Sequence, residues 1–308
     1  MTSHPDRQAP TLAQVRPPGG PFDPPKEGSF DARVDLKLLA HAARRAIGLS
    51  EKAREHLARF DEQEHPDLWA GTVRDGVARG FCAALEEAVS LAPPPAPAPP
   101  PVVDPLKVKT FVGRELRRKQ DLLVASGGAR IRFSRRQGVL LVDRERRIES
   151  ANCLRFDDLR DCGTLDGFEA PPHERPRLFS AQFLHPSVLR QGPDFDELVL
   201  DGRLGRTAAG FPVRIVFTGR KSEPFVTLRI ALENRHRDHR LRMRLLGVPE
   251  DAVRHSCTDV CRRVDSPAGG FLAFTLVRAC GRLSVDGEVV EVPGAQCLCR
   301  IEHEFRLG

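Results

Sequence analysis

The residues best placed to do chemistry in this chain are an aspartate and a histidine side by side, Asp238-His239, inside the short charged loop Asn234-Arg-His-Arg-Asp238-His239-Arg240. An adjacent carboxylate and imidazole can work as an acid/base dyad. The same residue types also fasten turns: a loop carboxylate takes up backbone amides, His and Arg pair with neighbouring acids, and Asn234 supplies the turn. A second constellation is built on sulfur. The chain has eight cysteines, and Cys297-Leu-Cys299, or His255-Ser-Cys257 with Cys261, could offer thiolates and an imidazole to zinc. Their spacings match none of the usual pairings of tetrahedral sites. Several stand in alternating apolar stretches, where a free cysteine behaves as a small buried hydrophobe.

Two strands must position the loop. Val226, Leu228, Ile230 and Leu232 share a face before it, and Leu241, Met243 and Leu245 share one after it. Successive strand side chains point to opposite faces, so each run is half buried, with Arg229, Glu233, Arg240, Arg242 and Arg244 turned outward. This is a strand, turn, strand unit. Elsewhere Ile131-Arg-Phe133 and Val139-Leu-Leu141 flank a Gln137-Gly138 turn, Val213, Ile215 and Phe217 alternate, and Leu283 to Val292 folds over Asp286-Gly287, a dipeptide suited to a type I′ hairpin. Many short strands with almost no helical stripe predict a mainly β fold, an antiparallel β-sandwich over residues 105–308.

Upstream the period changes to that of helices. Over residues 29–92, Leu38, Leu39, Ala42 and Ala46 form one stripe, Gly48 offers a stop, Ser50 caps a helix carrying Ala53, Leu57 and Phe60, and Val73, Val77, Phe81 and Leu85 recur every four residues. A small helical region therefore precedes the sandwich. Residues 93–104 are Pro-rich and predict an extended polyproline linker at the domain boundary. Residues 1–28 carry Pro, Gly and charge without periodicity and predict a disordered leader.

Composition narrows the function classes. The chain has 308 residues, 40% of them hydrophobic, enough for a packed core and two ordinary domains. Aromatics make up 6% and tyrosine is absent, which counts against an intact sugar-stacking platform. No apolar run approaches the roughly 18 residues needed to cross a bilayer, and the polar start lacks an apolar signal core. A cytoplasmic protein with reduced thiols and no membrane partner is expected. The net charge of +6 and pI near 9.1 favour polyanions only non-specifically. Because the arginines lie mostly at outward strand positions without interleaved aromatics, no specific nucleic acid partner is expected.

The charged loop, continuing into Leu241-Arg242, resembles the N-x-x-x-D-H-R-L-R segment in the C-terminal β-domain of glycoside hydrolase family 38, the α-mannosidases. Three further stretches match that family in chain order. Leu154-Arg-Phe156-Asp-Asp158-Leu-Arg-Asp161-Cys-Gly163 is similar to its L-R-F-E-D, D-x-G-D strand and turn, and Asp259-Val260-Cys261-Arg262-Arg263 to a D-V-V-R-R run. Phe274 to Ser284, which contains Arg278-Ala-Cys-Gly281, followed by Ala295-Gln296-Cys297, resembles its L-T-L-L-R-A-V-G-x-L-S and A-Q-C segments. These matches cover about residues 130 to 304. Thr164 and Leu165 depart from the family pattern, and the stretch between Gly281 and Ala295 is shortened.

The resemblance implies a galactose-mutarotase-like supersandwich beside a catalytic domain. It also implies retaining α-mannoside hydrolysis, with zinc on the sugar hydroxyls and an aspartate forming the glycosyl-enzyme. In the family that aspartate sits in an N-terminal α/β barrel; the roughly 100 residues ahead of the sandwich show no parallel-strand pattern. No catalytic, cofactor-binding or metal residue is therefore expected in this chain, zinc belonging to the intact family. Asp158, Asp161, Gly163, Asn234, Asp238, His239, Arg240, Arg278 and Gln296 are family-motif positions with an expected structural role. His4-Pro-Asp6 matches an H-x-D zinc pair in spelling only. Gln63 to Thr72 resembles a Q-H/F-H-D-x-x-x-G-T segment whose His binds zinc, which makes His65 a vestigial ligand position, although Pro66 interrupts the motif. The alternative is a loop histidine before a helix capped by Asp67. One imidazole alone cannot hold zinc.

Two function classes stay open. One is the C-terminal sandwich of an α-mannosidase-like hydrolase of carbohydrate (mannose) metabolism, not catalytic by itself, which complements a separately encoded catalytic chain or is a remnant. The other is a non-enzymatic sandwich module that binds carbohydrate or a protein partner.

Overall fold

The computed structural model describes residues 108–308, apart from residues 120, 144–147, 151, 166, 206–209, 256–260, 265–269, 286–287 and 292. The expected leader, helical region and linker, with His4, Asp6 and His65, lie outside the described residues, as does the Asp286-Gly287 turn.

The strands follow one another along the chain. The first are β1 (Lys109–Val112), then after a short helix α1 (Gly113–Arg118), β2 (Leu122–Ala125), β3 (Ala129–Ser134), β4 (Gly138–Asp143) and β5 (Ile148–Ser150). Next come β6 (Leu154–Arg160), β7 (Arg177–Ser180), β8 (His185–Gln191), β9 (Phe195–Leu204), β10 (Phe211–Arg220), β11 (Val226–Glu233) and β12 (His239–Leu246). The last are β13 (Val253–His255), β14 (Cys261–Val264), β15 (Phe271–Ala279), β16 (Arg282–Val285), β17 (Glu288–Glu291) and β18 (Arg300–Leu307).

They assemble into an antiparallel sandwich. One sheet runs β1-β8-β9-β10-β11-β18-β13, a second β14-β15-β12-β6-β7, a third β2-β3-β4-β5, and β16-β17 form a separate hairpin. Alternation selects the inner faces: Leu198 and Leu200, Val213, Ile215 and Phe217, Val226, Leu228 and Ile230, and Phe305 are all buried. Ile131 and Phe133 from β3, and Phe156, Met243 and Phe274 from the five-stranded sheet, join them in one contiguous core. Each such side chain stabilises the fold by roughly 1.5–3 kcal/mol through burial. The β3–β4 hairpin pairs Ile131 with Leu141 and Phe133 with Val139, and Gly138 adopts φ 71° at the turn, a conformation open to glycine.

Two expectations need correction. The strands on either side of the charged loop exist, with Leu228, Ile230, Leu241, Met243 and Leu245 all buried. They do not pair with each other, because β11 bonds to β10 and β18 whereas β12 bonds to β6 and β15. The loop is a crossing from one layer of the sandwich to the other, and the two apolar runs meet across the core. Arg240, expected outside, is 4% exposed, because Phe168 covers its guanidinium at 3.5 Å from the ring centroid.

One histidine fastens the layers together from inside. His303 on β18, buried in the core, donates from Nε2 to the Leu276 carbonyl of β15 at 2.8 Å. Burial pushes its pKa down to about 4, with His255 adding to the effect and the bond to Leu276 opposing it. Among the described residues no helix is long and apolar enough to cross a membrane.

Candidate functional site

The motif residues converge where the charged loop crosses between layers. Asp158 and Asp161 come from the end of β6 and the turn after it, His239 from the start of β12, Arg278 from the end of β15, and Gln296 from the short turn before β18. Asp238 takes φ 50°, a left-handed conformation that aspartate tolerates, and this reverses the loop.

Adjacent in sequence, Asp238 and His239 part in space. His239 sets Nδ1 2.7 Å from Asp158 Oδ1 and Nε2 3.0 Å from Asn234 Oδ1, and its ring stacks on Phe211 at 5.1 Å. Both nitrogens face oxygen atoms of the protein. Neither nitrogen is left to take a proton from a substrate. Asp238 instead holds Gln296 in a two-way bond: Gln296 Nε2 donates to its Oδ1 at 2.9 Å, and its backbone N–H donates to Gln296 Oε1 at 2.9 Å.

Asn234 is the junction of these pairs. Its Nδ2 donates to the carbonyls of Gln296 (3.1 Å) and Cys297 (3.0 Å), while Oδ1 also accepts the His236 N–H at 3.0 Å, closing an Asx turn. The turn expected of Asn234 is thus made by its side chain, and the left-handed backbone belongs to Asp238.

Asp161 and Arg278 form the deepest part of the network, each 0% exposed. Asp161 Oδ1 accepts the N–H groups of Gly163 (2.9 Å) and Glu169 (3.3 Å), and Oδ2 accepts Arg278 Nε at 2.7 Å. Arg278 sends Nη1 to the Leu165 carbonyl at 3.2 Å and Nη2 to the Thr164 carbonyl. A charge buried this deeply is tolerated when its counter-charge and its donors are all answered, as here. The same tightness explains Gly163: a Cβ there would stand 2.1 Å from the Gly167 carbonyl oxygen.

Some partners carried no sequence signal of their own. Arg282 Nη2 donates to the Asp161 carbonyl at 2.6 Å, and Cys280 Sγ donates to the Gly163 carbonyl at 3.3 Å. Both stand inside the motif around Gly281, but only the folded register shows that they reach the Asp161 turn. Burial, with the nearby Asp161 charge, pushes the Cys280 thiol up, and burial takes Cys153 to about 12. Neither is poised as a thiolate ligand. Among the described residues no group of three or more His, Cys, Asp or Glu is placed to hold a metal ion. His239 and Asp161 already spend their donor and acceptor atoms on protein partners. The zinc implied by the resemblance therefore does not fit these residues.

Beside Asn234 a shallow open groove of about 820 Å³ runs along the outer face of the seven-stranded sheet, lined by Asp201, Arg214, Glu233, Arg235 and Leu298 among others. Its charges are paired internally, Arg214 with Asp201 at 2.7 Å and Arg235 with Glu233 at 2.7 Å.

No protein-family model and no curated protein matches this chain. Solved structures do. An α-mannosidase from Enterococcus faecalis superposes with a TM-score of 0.61 at 14% identity, covering 91% of this chain and 55% of the other. A glycosyl hydrolase family 38 protein, also from Enterococcus faecalis, superposes with a TM-score of 0.58 at 14% identity, covering 91% of this chain and 57% of the other. The chain spans a little over half the length of both structures, and its antiparallel sandwich has the fold found within these family 38 glycoside hydrolases.

Proposed function

We propose that this chain supplies the β-sandwich portion of an α-mannosidase-like glycoside hydrolase, and that bond cleavage is carried by residues outside it, in a separately encoded catalytic chain that also holds the zinc of the intact family. The observation that supports this reading is the convergence of the family-motif residues. Asp158, Asp161, Gly163, Asn234, Asp238, His239, Arg278 and Gln296 lie in one network, buried except at the half-exposed Asp238, whose polar atoms answer one another. A network closed in this way serves to hold two sheets and a crossing loop in register. The process served would be cytoplasmic carbohydrate (mannose) metabolism. Incubating the purified chain with an aryl α-mannoside and added zinc is expected to give no turnover. Turnover that a chelator abolishes would overturn the proposal.

A second reading, a non-enzymatic module that binds carbohydrate or a protein, draws support from the open polar groove beside Asn234. Saturable sugar affinity of the isolated chain, weakened by Arg300→Gln at the groove wall, would favour it over the first.

A further inference from the structure

The outer face of the five-stranded sheet holds more arginine than its carboxylate neutralises. Register sets Arg155 of β6 opposite Arg244 of β12, and one row along sets Asp157 opposite Arg242. Asp157, 1% exposed, is gripped by Arg242 through Nε at 2.8 Å and Nη2 at 3.0 Å, while Arg244 Nη1 stands 3.6 Å from its Oδ2. No described carboxylate pairs with Arg155. The Nε atoms of Arg155 and Arg244 are both buried without an acceptor.

Like charges placed directly opposite on neighbouring strands repel, and a buried donor left unmade costs about 1–3 kcal/mol. Two of the three guanidinium groups nonetheless have partners. Arg244 sets its Cζ over the Phe271 ring, 3.6 Å from the centroid, and Arg242 is held by both oxygens of Asp157. Burial lowers the readiness of Arg244 to carry its charge, opposed by Asp157 and deepened by Arg242 and Arg155. Alongside, Leu178 on the edge strand β7, in line with Asp157, is 60% exposed, and Arg242 and Arg244 keep 15% and 18% of their side chains exposed. A planar guanidinium fork matches two oxygens of a tetrahedral anion, and two such forks side by side match three or four.

We propose that Arg155 and Arg244 form a binding site for a phosphate-class oxyanion, with Phe271 as the platform that orients Arg244 and the Asp157–Arg242 pair as its fixed base. The site is distinct from the Asp161 network and does not depend on the α-mannosidase reading. Its ligand is either free phosphate or a phosphate ester carried on a sugar.

The test titrates the full chain with sodium phosphate and, separately, with glucose 6-phosphate, by calorimetry and by thermal melting at matched ionic strength against sodium chloride. Saturable binding is expected, weakened at least ten-fold by Arg155→Gln and by Arg244→Gln, and unchanged by Arg190→Gln, which removes an exposed arginine paired with Glu197 on the other sheet. Tighter binding of glucose 6-phosphate than of phosphate assigns the ester; equal binding assigns the free anion. Should Arg244→Gln fail to fold, Arg155→Gln, which breaks no ion pair among the described residues, keeps the test decisive. An equal rise in melting temperature with chloride would mean that salt only screens the two arginines, and it would overturn the site. So would wild-type phosphate affinity in Arg155→Gln.

Discussion

Asp157 and Asp161 are near neighbours in the chain, both buried and both bonded to arginine, yet they live in opposite circumstances. The Asp161 carboxylate is bonded by one guanidinium, that of Arg278, whose other nitrogens go to the Thr164 and Leu165 carbonyls, while Arg282 reaches only the Asp161 main-chain carbonyl. Asp157 is shared between Arg242 and Arg244, with Arg155 beside them and no described carboxylate to match it. The difference comes from cover. The turn after β6 folds back over Arg278 and contributes its own carbonyls, whereas the Asp157 row lies on a face where Arg242 and Arg244 keep 15% and 18% of their side chains exposed. Burial of a carboxylate thus says little about its use. The balance of charge and of hydrogen-bond donors around it separates a fastening from a receptor.

The comparison is broken most directly by removing one side of the closed pair. Arg278→Met keeps the apolar stem and deletes the charge, leaving the buried Asp161 carboxyl with the Gly163 and Glu169 amides as its donors. A loss of about 3–5 kcal/mol of stability is expected, measured by urea denaturation. A loss below about 1 kcal/mol would place the Asp161 pair with ordinary surface bridges, and the distinction between the two aspartates would collapse.

A smaller, pH-dependent effect probes the interior that the closed region protects. His303 has a folded pKa near 4 against an ordinary value of 6.5, so the folded state resists the proton that the unfolded chain accepts. Above pH 6.5 both states are neutral and the group has no effect on stability. As pH falls from 6.5 to 4 the unfolded state alone gains the proton, and stability drops by about 3 kcal/mol in all, levelling off below 4. His303→Gln should flatten that slope in melts taken across the window. An unchanged slope would assign the acid sensitivity to other groups.

How much of this was legible beforehand follows from what a local pattern contains. A period of two fixes which side chains share a face, so the buried runs at Leu228 and Leu241 were readable from the residues alone. It carries no information about which strand lies next door. The crossing between β11 and β12 was therefore invisible, and so was the cover that Phe168 puts on Arg240. The same limit explains the Asp238-His239 pair. Asp238 is the left-handed last residue of the loop and His239 the first of β12, so His239 turns to Asp158, 81 residues away, and Asp238 to Gln296, 58 away. The resemblance to a family marked these residues as belonging together, but not the main-chain carbonyls of Thr164 and Leu165 that complete the site. The Asp157 cluster was hidden for a related reason: Arg242 and Arg244 read as a solvated strand face, and only the register of β6 against β12 stacks Arg155 beside them.

The smallest expected effect is also the one with the opposite sign. Because Arg155 has no carboxylate partner among the described residues and faces Arg244 across the strand pair, Arg155→Gln is expected to remove a repulsion without breaking an ion pair. In chloride buffer of low ionic strength the variant should be as stable as the wild type or more stable by up to about 0.5 kcal/mol, the scale of a cross-strand charge pair. That gain should shrink as salt is raised, since the Debye length falls from about 30 Å at 0.01 M to about 8 Å at 0.15 M. Arg278→Met, shielded from solvent, should keep its cost across the same salt range. If Arg155→Gln instead loses more than about 1 kcal/mol at low salt, Arg155 has a partner within the chain, and the outer face is as closed as the Asp161 network.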